Sequence, residues 1–123
     1  MYFLDTSAVI ELLSGTSKGQ AIKDLLGEDI LFLSSLVVHE LLIGFSEKDQ
    51  VLIEQFLQEV HVVPFDEGST RKSSSLERNL RKKGLTPGKV DILLAGSCLF
   101  HGFHFISCDK SFQQIKELPL SLF

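Results

Sequence analysis

Four of the sixteen carboxylates in this 123-residue chain stand where an acid could do chemistry rather than keep a surface wet. Asp5 follows the apolar run Tyr2-Phe3-Leu4, and Asp109 follows Phe105-Ile106-Ser107-Cys108, so each sits where a buried strand would end. Either could serve simply as a helix cap, because Asp is a favoured N-cap residue. Glu40 and Asp91 lie inside stretches with helical spacing. One turn away on either side Glu40 has Leu36, Val37, Ile43 and Gly44, and Asp91 has Pro87, Gly88, Leu94 and Ala95. Both carboxylates are therefore expected on apolar faces with no Lys or Arg at those spacings, an expensive place for a charge that meets no cation, donor or solvent-filled cleft. A distant basic partner or a helix edge is the alternative. If the four converge, each raises the pKa of the others unless something neutralises them. A divalent ion would do so. An all-oxygen donor set favours Mg²⁺ or Mn²⁺ over Zn²⁺, and phosphodiester hydrolysis is the chemistry such a centre supports.

The elements that must position these acids alternate along the chain. Tyr2 to Leu4, Ile30 to Leu33, His61 to Val63 and His104 to Ser107 read as short buried strands, with a weaker fifth candidate at Leu118 to Leu120. Helical spacing marks Ser7 to Leu13, Gly19 to Leu26, Leu36 to Phe45, Lys48 to Glu59, Gly68 to Lys83 and Pro87 to His101. Ser34-Ser35 offers a cap before Leu36, and Thr86-Pro87 sets a cap residue before proline at a first helical position. Strands separated by helices imply an α/β fold: three layers, α/β/α, around a central, mainly parallel sheet of four to five strands. Ligands of such sheets gather beyond the carboxyl ends of the strands. No repeat, low-complexity tract or linker interrupts the pattern, so residues 1–123 are expected to form one domain.

Competing motifs fail on single residues. His39-Glu40 opens like a zinc-protease HExxH, but Ile43 stands where the second histidine belongs. His101 and His104 have no partners at zinc-ligand spacing. Cys98 and Cys108 lie among apolar residues and read as buried reduced thiols.

With these residues in view the chain resembles the PIN-domain family of metal-dependent ribonucleases, and within it the small VapC-type toxins of prokaryotic toxin–antitoxin pairs. The resemblance runs over nearly the whole chain. It is carried by Leu4-Asp5-Thr6-Ser7-Ala8-Val9-Ile10, by His39-Glu40-Leu41-Leu42-Ile43-Gly44, by Pro64-Phe65-Asp66, by Asp91-Ile92-Leu93-Leu94-Ala95-Gly96 and by Ser107-Cys108-Asp109-Lys110-Ser111-Phe112. It implies that Asp5, Glu40, Asp91 and Asp109 hold Mg²⁺ or Mn²⁺, with Ser7 as a supporting hydroxyl. It further implies an endoribonuclease that leaves a 5′-phosphate and a 3′-hydroxyl, a cognate VapB-like antitoxin that covers the site with a basic side chain, and a homodimer. The chain departs from the family pattern at Ser107, where threonine is common, at Val37, where a hydroxyl residue is frequent, and at Ser111, often an acid. A non-catalytic PIN-like binding module, a solitary RNA-processing nuclease, and a phosphatase or DNA nuclease of similar fold are the alternatives.

Charge bears on the substrate. The net charge of −4 argues against a nucleic-acid binder, which normally carries a basic surplus. The average hides a division: residues 1–70 carry −9, residues 71–89 carry +6 and residues 90–123 carry −1. On a helix over Gly68 to Lys83, Arg71, Arg78 and Lys82 fall on one face and Leu76 and Leu80 on the opposite one. The basic face suits an RNA backbone or an acidic protein, and equally an ordinary solvated surface. Apolar residues make up 44% of the chain, enough for a core, and no run nears the ~18 residues of a membrane span. Met1 to Asp5 has no basic n-region of a signal peptide, so a cytoplasmic protein without membrane contact is expected.

Overall fold

The computed structural model describes residues 1–123. Five short strands form one sheet: β1 (Tyr2–Leu4), β2 (Leu31–Ser34), β3 (His61–Val63), β4 (His104–Ser107) and β5 (Leu120–Leu122). Their spatial order is β3-β2-β1-β4-β5, and every neighbouring pair is parallel. The sheet is thus wholly rather than mainly parallel. The fifth strand lies two residues later than its sequence candidate, because Leu118 turns inward into the core and Pro119 supplies only a carbonyl, which accepts from the Phe105 N–H at 2.7 Å.

Six helices connect and cover the strands: α1 (Thr6–Ser14), α2 (Ser17–Leu26), α3 (Ser35–Gly44), α4 (Gln50–Glu59), α5 (Glu67–Lys82) and α6 (Lys89–His101). Ser34 caps α3 by accepting from the Leu36 N–H at 3.1 Å, as its position suggested. The helix expected from Pro87 begins two residues later, at Lys89 after an extended Gly88, and Thr86 caps nothing. Pro87 is buried instead, so it anchors the connection from α5 rather than opening α6.

Strand β1 is central, and its Phe3 and Leu4 are fully buried with Phe105 and Ile106 of β4 beside them. Phe3 also stacks on Phe103, with centroids 5.8 Å apart. These residues belong to one cluster of 25 buried apolar side chains. Strand order, more than core packing, decides where the acids meet. After β1 the chain moves outward to β2 and β3, then returns across to β4 on the other side, so the order reverses between β1 and β4. Asp5 and Asp109 leave the carboxyl ends of these two strands, at the switch point where open α/β sheets receive ligands.

Helices α5 and α6 pack antiparallel. Asp66 meets His101, Ser69 meets Ser97 at 3.1 Å, and Glu77 meets Lys89 at 2.6 Å. A Cβ on Gly96 would lie 2.6 Å from the Ser73 Cα, so the two backbones approach as closely as they do only because that side chain is absent. This hairpin sets Asp91, in the first turn of α6, against the sheet's carboxyl edge. No helix is long and apolar enough to cross a membrane.

Candidate active site

Asp5 is both a cap and a wall of a cavity. With φ −86° and ψ 176° it enters α1 from extended backbone. Its Oδ1 accepts from the Ala8 N–H at 3.0 Å and the Ser7 hydroxyl at 2.7 Å; its Oδ2 accepts from the Ser107 hydroxyl at 2.6 Å. The hydroxyls have little choice in this. Ser7 Oγ accepts from the Cys108 N–H at 3.0 Å and Ser107 Oγ from the Asp109 N–H at 2.9 Å, and because the ionised Asp5 carboxylate can only accept, each hydroxyl gives it the proton. Burial nevertheless dominates and pushes the Asp5 carboxyl above the usual carboxylate range; the bonds from Ser107, Ala8 and Ser7 oppose that, and the Asp109 charge adds to it.

Asp109 likewise caps, accepting from the Ser111 N–H at 2.9 Å at the head of the 3₁₀ turn Lys110–Gln114. The Ser111 hydroxyl donates to Asp91 Oδ2 at 3.2 Å, so one serine ties two of the four acids. Asp91 is half-buried. Its carboxyl is held above the ordinary range by burial first, then by Asp109, with smaller pushes from Asp5 and Glu40 and an opposing pull from Ser111. That the other three acids all act on Asp91 expresses their convergence: Asp5, Glu40, Asp91 and Asp109 line one cavity of about 210 Å³ together with Thr6 and Ser7.

The surroundings of Glu40 differ from the apolar face its neighbours suggested. Val37 is buried, but Ile43 is 73% exposed, because α3 buries only Val37 and Leu41 fully and packs Leu36 and Val38 against the core's edge. Glu40 reaches the cavity from a half-exposed helix side, and the same side borders a shallow depression with Ile10, Ile43 and Phe45. Asp91 matches expectation, with Pro87, Leu94 and Ala95 buried around it. Arg71, Arg78 and Lys82 are all exposed on α5, opposite buried Leu76 and Leu80, and none lines the acid cavity. Both cysteines are free; Cys98 is buried, its thiol pushed up to about 12, while Cys108 is only half-buried because it flanks the open edge of the site. Sequence reasoning missed the part played by Ser107 and Ser111. The available signal was a small hydroxyl ending an otherwise apolar strand, and a serine two residues past a cap.

No Lys or Arg lines this cavity, and Thr6 on its wall carries a buried hydroxyl oxygen with no hydrogen-bond partner. No three Asp, Glu, His or Cys side chains stand as a ready set of direct ligands for one ion. The donors fit a hydrated hard cation, since Mg²⁺ keeps several waters and takes only one or two carboxylates directly.

The fold recurs in solved structures. The chain is similar to VapBC2 from Rickettsia felis bound to a promoter DNA fragment, at 24% identity and a TM-score of 0.88 over 99% of this chain and 98% of that one. It is similar to VapBC-1 from nontypeable Haemophilus influenzae, at 26% identity and 0.82 over 98% and 96%. DNA-bound VapBC from Salmonella typhimurium gives 20% and 0.86 over 98% and 96%. A search of curated protein sequences finds no significant match. The PIN domain family model matches residues 2–118, a span that holds all four acids, both strands of the switch point and the α5–α6 hairpin. The chain belongs to the PIN domain family.

Proposed function

We propose that residues 1–123 act as one Mg²⁺- or Mn²⁺-dependent endoribonuclease, a VapC-type toxin that cleaves cellular RNA in the cytoplasm and is neutralised by a VapB-like antitoxin. The observation that carries this reading is the cavity at the β1/β4 switch point, where four elements deliver Asp5, Glu40, Asp91 and Asp109 and nothing basic offsets them. The toxin–antitoxin part rests on the likeness to VapBC proteins, and the homodimer on what the family resemblance of the sequence implies.

Asp5 and Asp109, each fixed by capping bonds, and Glu40 and Asp91 would hold the ion directly or through water. When bound, it supplies water of lowered pKa and neutralises charge on the phosphoryl oxygens. Asp91 Oδ2 is occupied by Ser111, so Oδ1 is the atom left to take the proton of the attacking water. Ser7 and Ser107 keep Asp5 from rotating as charge builds up opposite it. Water adds to phosphorus as one of its protons passes to Asp91, the bond to the 3′-oxygen breaks and that oxygen takes a proton from solvent, giving the 5′-phosphate and 3′-hydroxyl that the family resemblance implies. Arg71, Arg78 and Lys82 are available for the RNA backbone.

The test is cleavage-site mapping on total cellular RNA with Mg²⁺, with Mn²⁺ and with EDTA. Discrete metal-dependent ends that disappear in Asp5→Asn and Asp91→Asn, both still folded, are expected. Absence of cleavage in either metal, or persistence in the variants, would overturn the reading.

A further inference from the structure

The hairpin of α5 and α6 carries a second feature, outside the acid cavity. A groove follows the hairpin as three depressions that share walls. The outermost, about 420 Å³, is bounded by Arg71 and Arg78; the middle one, about 330 Å³, by Arg78, Arg81 and Lys89; the innermost, about 140 Å³, ends at Thr86 and Pro87. Beyond Pro87 comes Gly88, whose backbone lies against the Asp91 carboxylate: a Cβ there would be 3.5 Å from Oδ2. The inner end of the groove thus lies one residue before Gly88, the neighbour of Asp91, although groove and acid cavity share no lining residue.

Its cations are not equivalent. Arg71 is paired with Glu67 at 3.0 Å, and Arg81 and Lys89 share Glu77 at 2.7 and 2.6 Å. Arg78 makes no ion pair within the chain and lines both larger depressions. Thr70 and Ser74, eight and four residues before it, do the same, so one ridge of the helix presents hydroxyls and a guanidinium to both sides. The middle depression also has Phe65 and Leu93 in its wall. A free guanidinium beside hydroxyls and an aromatic ring is what a single-stranded nucleic acid needs, a charge for phosphate and a face for a base. A protein partner would call for a broader apolar anchor than these two side chains.

We propose that the α5–α6 groove is an RNA subsite in which Arg78 binds a phosphate some nucleotides away from the scissile one, and Phe65 with Leu93 receives the adjoining base or ribose. Lys82, on the same face of the helix, lines none of the three depressions and contributes only a diffuse field. The subsite rests on the ribonuclease reading for its purpose, but binding can be tested without catalysis.

The probe is a fluorescein-labelled single-stranded 12-nucleotide RNA, titrated by anisotropy in EDTA over a range of salt concentrations. Arg78→Ala is expected to weaken binding about tenfold and lower the salt slope by about one. Phe65→Ala should weaken binding with the slope intact, and Lys23→Ala, which removes an exposed charge on α2 outside the groove, should shift affinity less than twofold. An undetectable wild-type complex, or equal affinity and slope in Arg78→Ala, would overturn the subsite. So would an Arg78→Ala chain that keeps RNA but loses a VapB-like antitoxin, which would assign the groove to protein. If the wild-type chain binds RNA through Arg78 yet cleaves none in Mg²⁺ or Mn²⁺, the subsite stands and the nuclease reading falls.

Discussion

At the scale of single residues the site depends on which way two protons point. Ser7 and Ser107 donate to Asp5 because an ionised carboxylate can only accept, while each hydroxyl also accepts a backbone N–H, from Cys108 and Asp109 respectively. Removing the Ser107 hydroxyl frees Asp5 Oδ2 and leaves the Asp109 N–H without its acceptor, loosening two acids at once. Ser107→Ala is therefore expected to lower metal affinity or cleavage about 10–100-fold, as losing an outer hydrogen bond to a ligand typically does. Titrating Mg²⁺ against cleavage rate separates the two effects. The four acids themselves were legible in sequence, two by following apolar strands and two by helical spacing. Ser7 was named through the family resemblance; the parts of Ser107 and Ser111 were missed, because a hydroxyl at a strand end or just past a cap does not show which distant acid it will meet.

At the scale of elements, the α5–α6 hairpin places Asp91, and small residues set its closeness. Gly96→Ala would drive a methyl into the Ser73 backbone, which cannot move aside as a side chain can. Overpacking of this kind costs about 1–3 kcal/mol, more than the up to ~1 kcal/mol that alanine gains in helix propensity. Gly68→Ala meets only the ring end of Phe100, itself 51% exposed, and should stay within about 0.5 kcal/mol of wild type. Urea unfolding of the two variants is the measurement. Strand and helix order was readable from alternating apolar runs and helical spacing. Three details were not: the start of α6, which Pro87 misplaces because it is held by burial rather than by the helix, the bounds of β5, which Leu118 misplaces because it turns into the core, and the exposure of Ile43, because an apolar face on α3 is wider than the sheet it covers.

At the scale of the whole molecule, charge is concentrated rather than spread. Asp5 and Asp91 have carboxyls raised above the ordinary 3.8, so in EDTA each makes the fold lose stability as pH climbs from about that value through its raised one. Asp91→Asn should consequently melt higher than wild type at neutral pH in EDTA, with the gap closing as pH falls toward 4. The depressed carboxyls of Asp29, Asp66 and Glu77 act in the opposite sense but equally in both proteins, so they cancel in the difference. Mg²⁺ at a hundred times its Kd would stabilise wild type by about 2.7 kcal/mol, and the variant should lose much of that gain. Thermal melts across pH, with and without Mg²⁺, test both. The reversal of strand order between β1 and β4 also has a consequence in time. The ribosome delivers Asp5 first and Asp109 more than a hundred residues later, and β4 is the strand that brings them together. A nascent chain that has emerged past Asp91 carries three of the four acids without a site, because the cavity takes shape only once β4 has docked beside β1 and brought Asp109 to the same edge.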